Sequence, residues 1–429
     1  MPSAFCPAYL ITAPASGQGK TSVTAAIARY HSQQGLRVRC FKTGPDFIDP
    51  GILAKASGQA VYNLDTWIMG SAHCRQLLYE AAAESDLILV EGVMGLFDGK
   101  PSSADLAELF GLPILPVIDA SAMAQTFAAL LYGLANFRRS LAVIGAVANF
   151  VASAYHAELL QTGVPEGLPL ACLLRNPELG LPERHLGLQI AEEITDIEQR
   201  LNHLADAIKD TCLAELPKAV EFLAPNNPAK LPLLLQGKTI AVARDAAFCF
   251  LYEQNLRCLT DMGAKLLFFS PLADAKLPLA DAIYLPGGYP ELYAQALAAN
   301  TVLRTHIQAH IAANKPLLAE CGGMLYLAES LCDSKGRAFS MLGVLPGAAI
   351  MHSKLSGIGS EQVELDGQII RGHTFHYSTL QTALPSLTRA KTADGRDGEA
   401  VYRLGPVLAS YLHFYFPANP EAIAKLFLS

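Results

Sequence analysis

The stretch Tyr9-Leu-Ile-Thr-Ala-Pro-Ala-Ser-Gly-Gln-Gly-Lys-Thr21 decides the fold of the first half of the chain. Four residues, Tyr9-Leu-Ile-Thr12, read as a buried strand. A glycine-rich turn follows, and a helix is predicted over about residues 20–34, ended by Gly35. Strand, glycine loop and helix in that order form the context of a phosphate-binding loop. The glycines let backbone N–H groups turn toward phosphate oxygens, and the helix N-terminus adds partial positive charge. Lys20 supplies a point charge near the β- and γ-phosphates. Thr21 offers a hydroxyl to Mg²⁺. Ser16, Gly17, Gln18, Gly19, Lys20 and Thr21 are therefore the expected nucleotide contacts. The loop is a variant, because Pro14 stands where the strict motif has glycine.

Working outward, further apolar runs alternate with helical patterns: Val38–Phe41, Asp86–Val90, Pro113–Ile118 and Val143–Ala148. Such near-continuous apolar strands predict a parallel sheet covered on both faces, an α/β domain. Acids cluster after these strands, where ligands of parallel sheets bind. Glu91 follows Asp86–Val90 and is the expected metal ligand beside Thr21. Asp46 and Asp49 lie in Lys42-Thr-Gly-Pro-Asp-Phe-Ile-Asp-Pro50, and Asp98 ends Glu91-Gly-Val-Met-Gly-Leu-Phe-Asp98. Asp46 and Asp98 are expected to position the metal or the reacting group.

Residues 214–237 hold four prolines, and a fresh strand starts at Lys238-Thr-Ile-Ala-Val-Ala243. The expected division is a domain over 1–215, a linker over 216–237 and a second α/β domain over 238–429. In the second half Leu317-Leu-Ala-Glu-Cys321-Gly-Gly-Met324 is an apolar strand running into a sharp turn and a helix. A cysteine on such an elbow is exposed to attack substrate, and the helix N-terminus favours its thiolate. Cys321 is the expected nucleophile and His413 its expected base, with His373 and His376 as competitors. The N–H groups of Gly322 and Gly288 are the expected oxyanion donors.

Composition narrows the class. The chain has 429 residues, with 32 Lys+Arg against 39 Asp+Glu, a net charge of −7. That argues against a general nucleic-acid binder. Hydrophobic residues are 51% and charged residues 17%, a globular balance. The nine cysteines are scattered without C-x-x-C spacing, which argues against a zinc ribbon or a disulfide framework and fits a cytoplasmic location. No apolar run reaches about 18 residues, so no membrane span is expected.

Together these motifs resemble the glutamine-dependent cobyrinic acid a,c-diamide synthases of corrin biosynthesis. Further matching segments are Asn63-Leu-Asp-Thr-Trp67, Leu181-Pro-Glu-Arg-His-Leu-Gly-Leu188, Ala243-Arg-Asp-Ala-Ala-Phe-Cys-Phe250, Pro286-Gly-Gly-Tyr-Pro-Glu-Leu292 and Arg371-Gly-His-Thr-Phe-His-Tyr-Ser378. The resemblance implies a P-loop amidoligase domain followed by a class I-type glutamine amidotransferase domain. It implies ATP, Mg²⁺, L-glutamine and a corrin acid as small-molecule reactants, with Cys321 attacking glutamine and an acyl phosphate capturing ammonia. Asn149 is then an adenine contact. Lys42, Arg184 and His185 are candidates for the basic site that receives the polyacidic substrate. The third acid usual in class I amidotransferases is not apparent after His413, and Tyr415 and Thr374 depart from the family pattern. Hydrogenobyrinic acid and nickel-sirohydrochlorin are alternative substrates. A P-loop partitioning ATPase, or a glutaminase-like binding protein with an inactive ligase half, are rival readings. A homodimer is compatible with the sequence.

Overall fold

The computed structural model describes residues 2–428 except 177–179, 182, 185, 186, 189 and 226–230. The chain divides into two compact units, Met1–Pro228 and Ala229–Ser429.

In the first unit the apolar runs become a parallel sheet. Its order is Tyr62–Leu64, Val38–Thr43, Leu87–Glu91, Ser3–Thr12, Ile114–Asp119, Ala146–Val151 and Leu170–Leu174. Lys20–Gln33 is helical, as the glycine-loop context predicts, and buries Val23 and Ile27 against Tyr9, Ile11 and Leu89. The strand expected over 143–148 lies three residues later, at Ala146–Val151. Asn149 therefore sits inside the strand, where register shifts between Ala148 and Val151.

The expected linker is partly structured. Ala219–Leu223 is a strand that pairs antiparallel with Ser3–Pro7. The alternation Ala-Val-Glu-Phe-Leu, enclosed between Pro217 and Pro225, suits an edge strand, so the first unit extends beyond residue 215. Leu235, within the same expected linker, is buried in the core of the second unit.

The second unit is also α/β. Lys265–Phe269, Thr239–Ala243, Ala282–Leu285, Leu317–Glu320 and Val407–Ser410 run parallel in that spatial order. The sheet then continues antiparallel through Asp397–Leu404, Thr388–Thr392, Gly357–Leu365, Gln368–His376 and His413–Phe414. A second sheet of four strands includes Leu345–Met351. Two of the expected short β segments after residue 340 are nine-residue strands, Gly357–Leu365 and Gln368–His376, joined as a hairpin. Among the described residues no helix is long and apolar enough to cross a membrane.

Candidate active sites

In the first unit the loop Ser16–Thr21 lines a cleft of about 960 Å³ together with Lys42, Asp46, Asp49, Glu91 and Asn149. That volume is at the upper end for small-molecule sites. Gly19 caps the helix with φ of 88°, and a Cβ there would meet the Asn149 side-chain nitrogen at 2.1 Å. Only glycine fits both the dihedral and the space. Asn149 Nδ2 donates to the Gln18 carbonyl at 3.0 Å, and Gln18 Oε1 accepts the Asp119 N–H at 2.8 Å. Both side chains thus brace the loop. Lys20 Nζ donates to the carbonyls of Met94 at 2.8 Å and Ala15 at 3.2 Å. Burial, with the like charge of Lys42, lowers its pKa to about 8.

Behind the loop lies a buried ionic cluster. The strand register sets Lys42 opposite Glu91. Lys42 Nζ lies 2.7 Å from Glu91 Oε1, 2.5 Å from Asp49 Oδ2 and 3.7 Å from Asp46 Oδ2. Burial alone would lower the lysine pKa; Glu91, Asp49 and Asp46 outweigh it and raise it. Glu91 is fully buried, and burial pushes its pKa up to about 7 against the pull of Lys42. Its Oε1 also accepts the Thr21 hydroxyl at 2.8 Å, while Oε2 is buried with no hydrogen-bond partner. An orphaned carboxylate oxygen beside a P-loop threonine is a donor pair suited to a hard divalent cation such as Mg²⁺.

In the second unit Cys321 stands between the Leu317–Glu320 strand and the Gly322–Leu327 helix with φ of 44°, strained for a non-glycine residue. Its N–H donates to the Ser410 carbonyl at 2.8 Å, which ties the elbow to the neighbouring strand. Burial, followed by the Glu291 charge, raises the thiol pKa, and the Gly322 N–H acts in the opposite direction. A Cβ on Gly322 would lie 2.9 Å from the Gly288 nitrogen, so the two expected oxyanion donors come together. Next to Gly288, a Cβ on Gly287 would meet the His413 ring at 2.2 Å. The Gly287–Gly288 turn is thus wedged between the cysteine elbow and His413.

His413 is buried, and desolvation, then the charges of His373 and His376, hold its pKa well below the usual range. It is neutral near pH 7, the form a general base needs. His373 stacks on it at 4.9 Å and contacts the Tyr252 hydroxyl through Nδ1 at 2.9 Å. His376 has both ring nitrogens engaged, with the Ser378 carbonyl at 2.8 Å and Glu399 at 3.0 Å. Its ring also stacks on Tyr411.

Residues 9–186 match a family model described as CobQ/CobB/MinD/ParA nucleotide binding domain, and residues 239–421 match a CobB/CobQ-like glutamine amidotransferase domain. The chain is 55% identical over 428 residues to the hydrogenobyrinate a,c-diamide synthase of Stutzerimonas stutzeri (strain A1501), covering 99% of each chain. It is 54% identical over 428 residues to the enzyme of that name from Pseudomonas aeruginosa, covering 99% of this chain and 98% of the other. It is 47% identical over 421 residues to the cobyrinate a,c-diamide synthase of Herminiimonas arsenicoxydans, covering 97% and 96%. The chain belongs to the a,c-diamide synthase family. It is an enzyme, a nucleotide-binding carbon–nitrogen ligase with glutamine as amide donor. The partitioning-ATPase reading fails, because the relatives match both halves.

Several expected site residues of this family member fall differently from the sequence reading. Lys42, expected to meet the substrate, is 3% exposed and its ammonium is committed to carboxylates. Asp98 is exposed and lies outside the lining of the cleft; its Oδ2 accepts the Gly95 N–H at 3.1 Å. It therefore shapes the loop whose Met94 carbonyl receives Lys20. Arg184 is in the two-residue strand Glu183–Arg184, and His185 lies outside the described residues. Asn149 lines the cleft, but its amide nitrogen serves the loop rather than standing open to a base. Asp49, which the sequence sets beside Asp46, is buried at the start of the Asp49–Ser57 helix and faces Lys42. Its helix-start position, three residues after Asp46, was the available signal.

Proposed function

We propose that this chain converts the a and c acetate carboxylates of a corrin acid to amides in cobalamin biosynthesis, consuming ATP and glutamine. The metal-free macrocycle, hydrogenobyrinic acid, is the preferred substrate. The observation that carries the proposal is the identity of 54–55% over 99% of the chain to two relatives named for that compound. The relative at 47% identity is named for cobyrinate, which keeps the cobalt-bearing acid as the second reading.

The residues support a division of labour. The P-loop of Ser16–Thr21 holds the phosphates, and Lys20 turns from the carbonyls of Ala15 and Met94 toward the γ-phosphoryl group. Thr21 and the free Oε2 of Glu91 would hold Mg²⁺, which supplies charge neutralisation for phosphoryl transfer. Lys42 locks Glu91 and Asp49 in place, and Asp46, on the cleft wall, orients the carboxylate to be activated. A carboxylate resists nucleophiles; as an acyl phosphate it accepts ammonia and releases phosphate.

Ammonia comes from glutamine. His413 takes the Cys321 proton, the thiolate attacks the side-chain amide, and the oxyanion meets the N–H groups of Gly288 and Gly322. The amine leaves as ammonia with the proton returned by His413, and water then hydrolyses the glutamyl thioester. We place the reaction in the cytoplasm, where ATP and glutamine are supplied.

The test is a substrate panel with hydrogenobyrinic acid, cobyrinic acid and nickel-sirohydrochlorin, combined with Cys321→Ser. The expected result is highest kcat/KM on hydrogenobyrinic acid. Cys321→Ser should lose glutamine-dependent amidation and retain amidation from high free ammonia. Loss of both activities in a folded variant would overturn the division of labour, and preference for cobyrinic acid would select the second reading.

A further inference from the structure

Three polar side chains at the heart of the second unit have no part in the chemistry above. Glu320 is 1% exposed, and Tyr284 and Asn255 are fully buried. Burying an acid and two polar groups among Leu318, Phe414 and Phe416 is costly unless each finds partners. They find them on one segment. Glu320 Oε1 accepts the Phe414 N–H at 3.0 Å, and Glu320 Oε2 accepts the Tyr284 hydroxyl at 2.7 Å. Asn255 Nδ2 donates to the Phe414 carbonyl at 2.7 Å, and its Oδ1 accepts the Phe416 N–H at 2.8 Å. Both backbone polar groups of Phe414 are therefore held by buried side chains.

Phe414 follows His413, and Glu320 precedes Cys321. The strand His413–Phe414 has only two residues and pairs with Gln368–His376. In the order of the sheet it stands at the far end from Leu317–Glu320, with five other strands between. Along the chain, however, His413 lies three residues after Ser410, whose carbonyl accepts the Cys321 N–H at 2.8 Å. The Glu320 side chain adds a second tie, one hydrogen bond directly from the residue before the nucleophile to the residue after the histidine.

We infer that Glu320, braced by Tyr284, is a positioning residue of the glutaminase reaction that sets His413 relative to Cys321. The assignment rests on the reading of Cys321 and His413 as nucleophile and base. A third acid usually holds the imidazole of such enzymes; here the acid holds the backbone amide beside it. Burial raises the Glu320 pKa to about 8, so the group is largely neutral near pH 7. A neutral carboxyl still accepts the Phe414 N–H through its carbonyl oxygen, and glutamine can do the same.

The test compares Glu320→Ala, Glu320→Gln and Cys321→Ala in the full-length enzyme. Glutamate release from glutamine and amidation from free ammonia are measured in each. For Glu320→Ala, kcat for glutamine should fall by about tenfold or more, with KM changed less than about threefold, the signature of lost geometry in the transition state. Ammonia-dependent amidation should be unchanged, and Glu320→Gln should restore the glutamine rate. Should Glu320→Ala not fold, Tyr284→Phe, which frees the carboxyl to swing, carries the test through a smaller loss of the same kind. An unchanged glutamine rate in a folded Glu320→Ala or Tyr284→Phe variant, or equal loss of both activities, overturns the inference. Cys321→Ala is the control: if it still hydrolyses glutamine, the nucleophile reading fails instead.

Discussion

Substituting Gly287 by alanine tests the glutaminase geometry with a single methyl group. The added Cβ would lie 2.2 Å from His413 Cε1, 3.0 Å from Nδ1 and 3.2 Å from Nε2. Unstrained carbon contacts need about 3.6 Å, so the imidazole must retreat by about 1.4 Å. Gly287 does not have a positive φ, so the backbone itself accepts alanine. Space for the retreat is scarce. His413 is 1% exposed, His373 stacks on it at 4.9 Å, and Phe250 packs at 6.0 Å. A displacement near 1 Å typically costs about 100-fold in rate. Overpacking adds about 1–3 kcal/mol of destabilisation. Glutamine-dependent amidation by Gly287→Ala should therefore fall about 100-fold, while amidation from ammonia stays near wild type. The assay is steady-state amide formation with each nitrogen source, alongside a melting curve. A glutamine rate within about threefold of wild type in the folded variant would refute the wedge between His413 and the elbow.

Other expectations follow from the two sites. Lys20→Ala should lower amidation about 1,000-fold with either nitrogen source, leaving glutamine hydrolysis intact, as expected for loss of a phosphoryl-group clamp. Lys42→Met should destabilise the first unit by about 3–5 kcal/mol, read from its urea midpoint, because Asp46, Asp49 and Glu91 lose their shared cation. The second unit should be most stable near pH 6.5. His373, depressed by burial to about 3, binds fewer protons folded than unfolded, so stability is lost as pH falls below 6.5. Glu320, raised by burial to about 8, binds more protons folded, so stability falls as pH rises from 4.5 through 8. Below pH 6.5 the buried His413 and His310 add to the His373 effect and outweigh Glu320; above it Glu320 sets the decline, with Glu361, also raised by burial, acting in the same direction. Melting temperature against pH should show this maximum, and Glu320→Gln should flatten the decline on the alkaline side.

Much of the fold was legible because it rests on local chemistry. Gly17, Gly19 and Lys20 between an apolar run and a helical pattern specify the loop, and Cys321 before two glycines specifies the elbow. What sequence spacing could not supply was register between distant strands. Lys42 reads as a free cation until its strand is laid beside Leu87–Glu91, which pairs it with Glu91 and commits its ammonium to carboxylates. Asp98 reads like Asp49 as an acid after a strand, yet the loop turns Asp98 outward while the helix start turns Asp49 inward. The edge strand Ala219–Leu223 was hidden by surrounding prolines. Glu320 looked like one more polar residue beside a nucleophile, because its partner is 94 residues away.

The activity we propose is two amidations of one corrin acid, driven by ATP and fed by glutamine through Cys321. Mass spectrometry of the product formed from hydrogenobyrinic acid, ATP, Mg²⁺ and amide-¹⁵N glutamine tests it most directly. The expected product carries two ¹⁵N amides at the a and c positions and forms only when ATP is present. Unchanged hydrogenobyrinic acid alongside hydrolysed glutamine, or amides at other carboxylates, would contradict it.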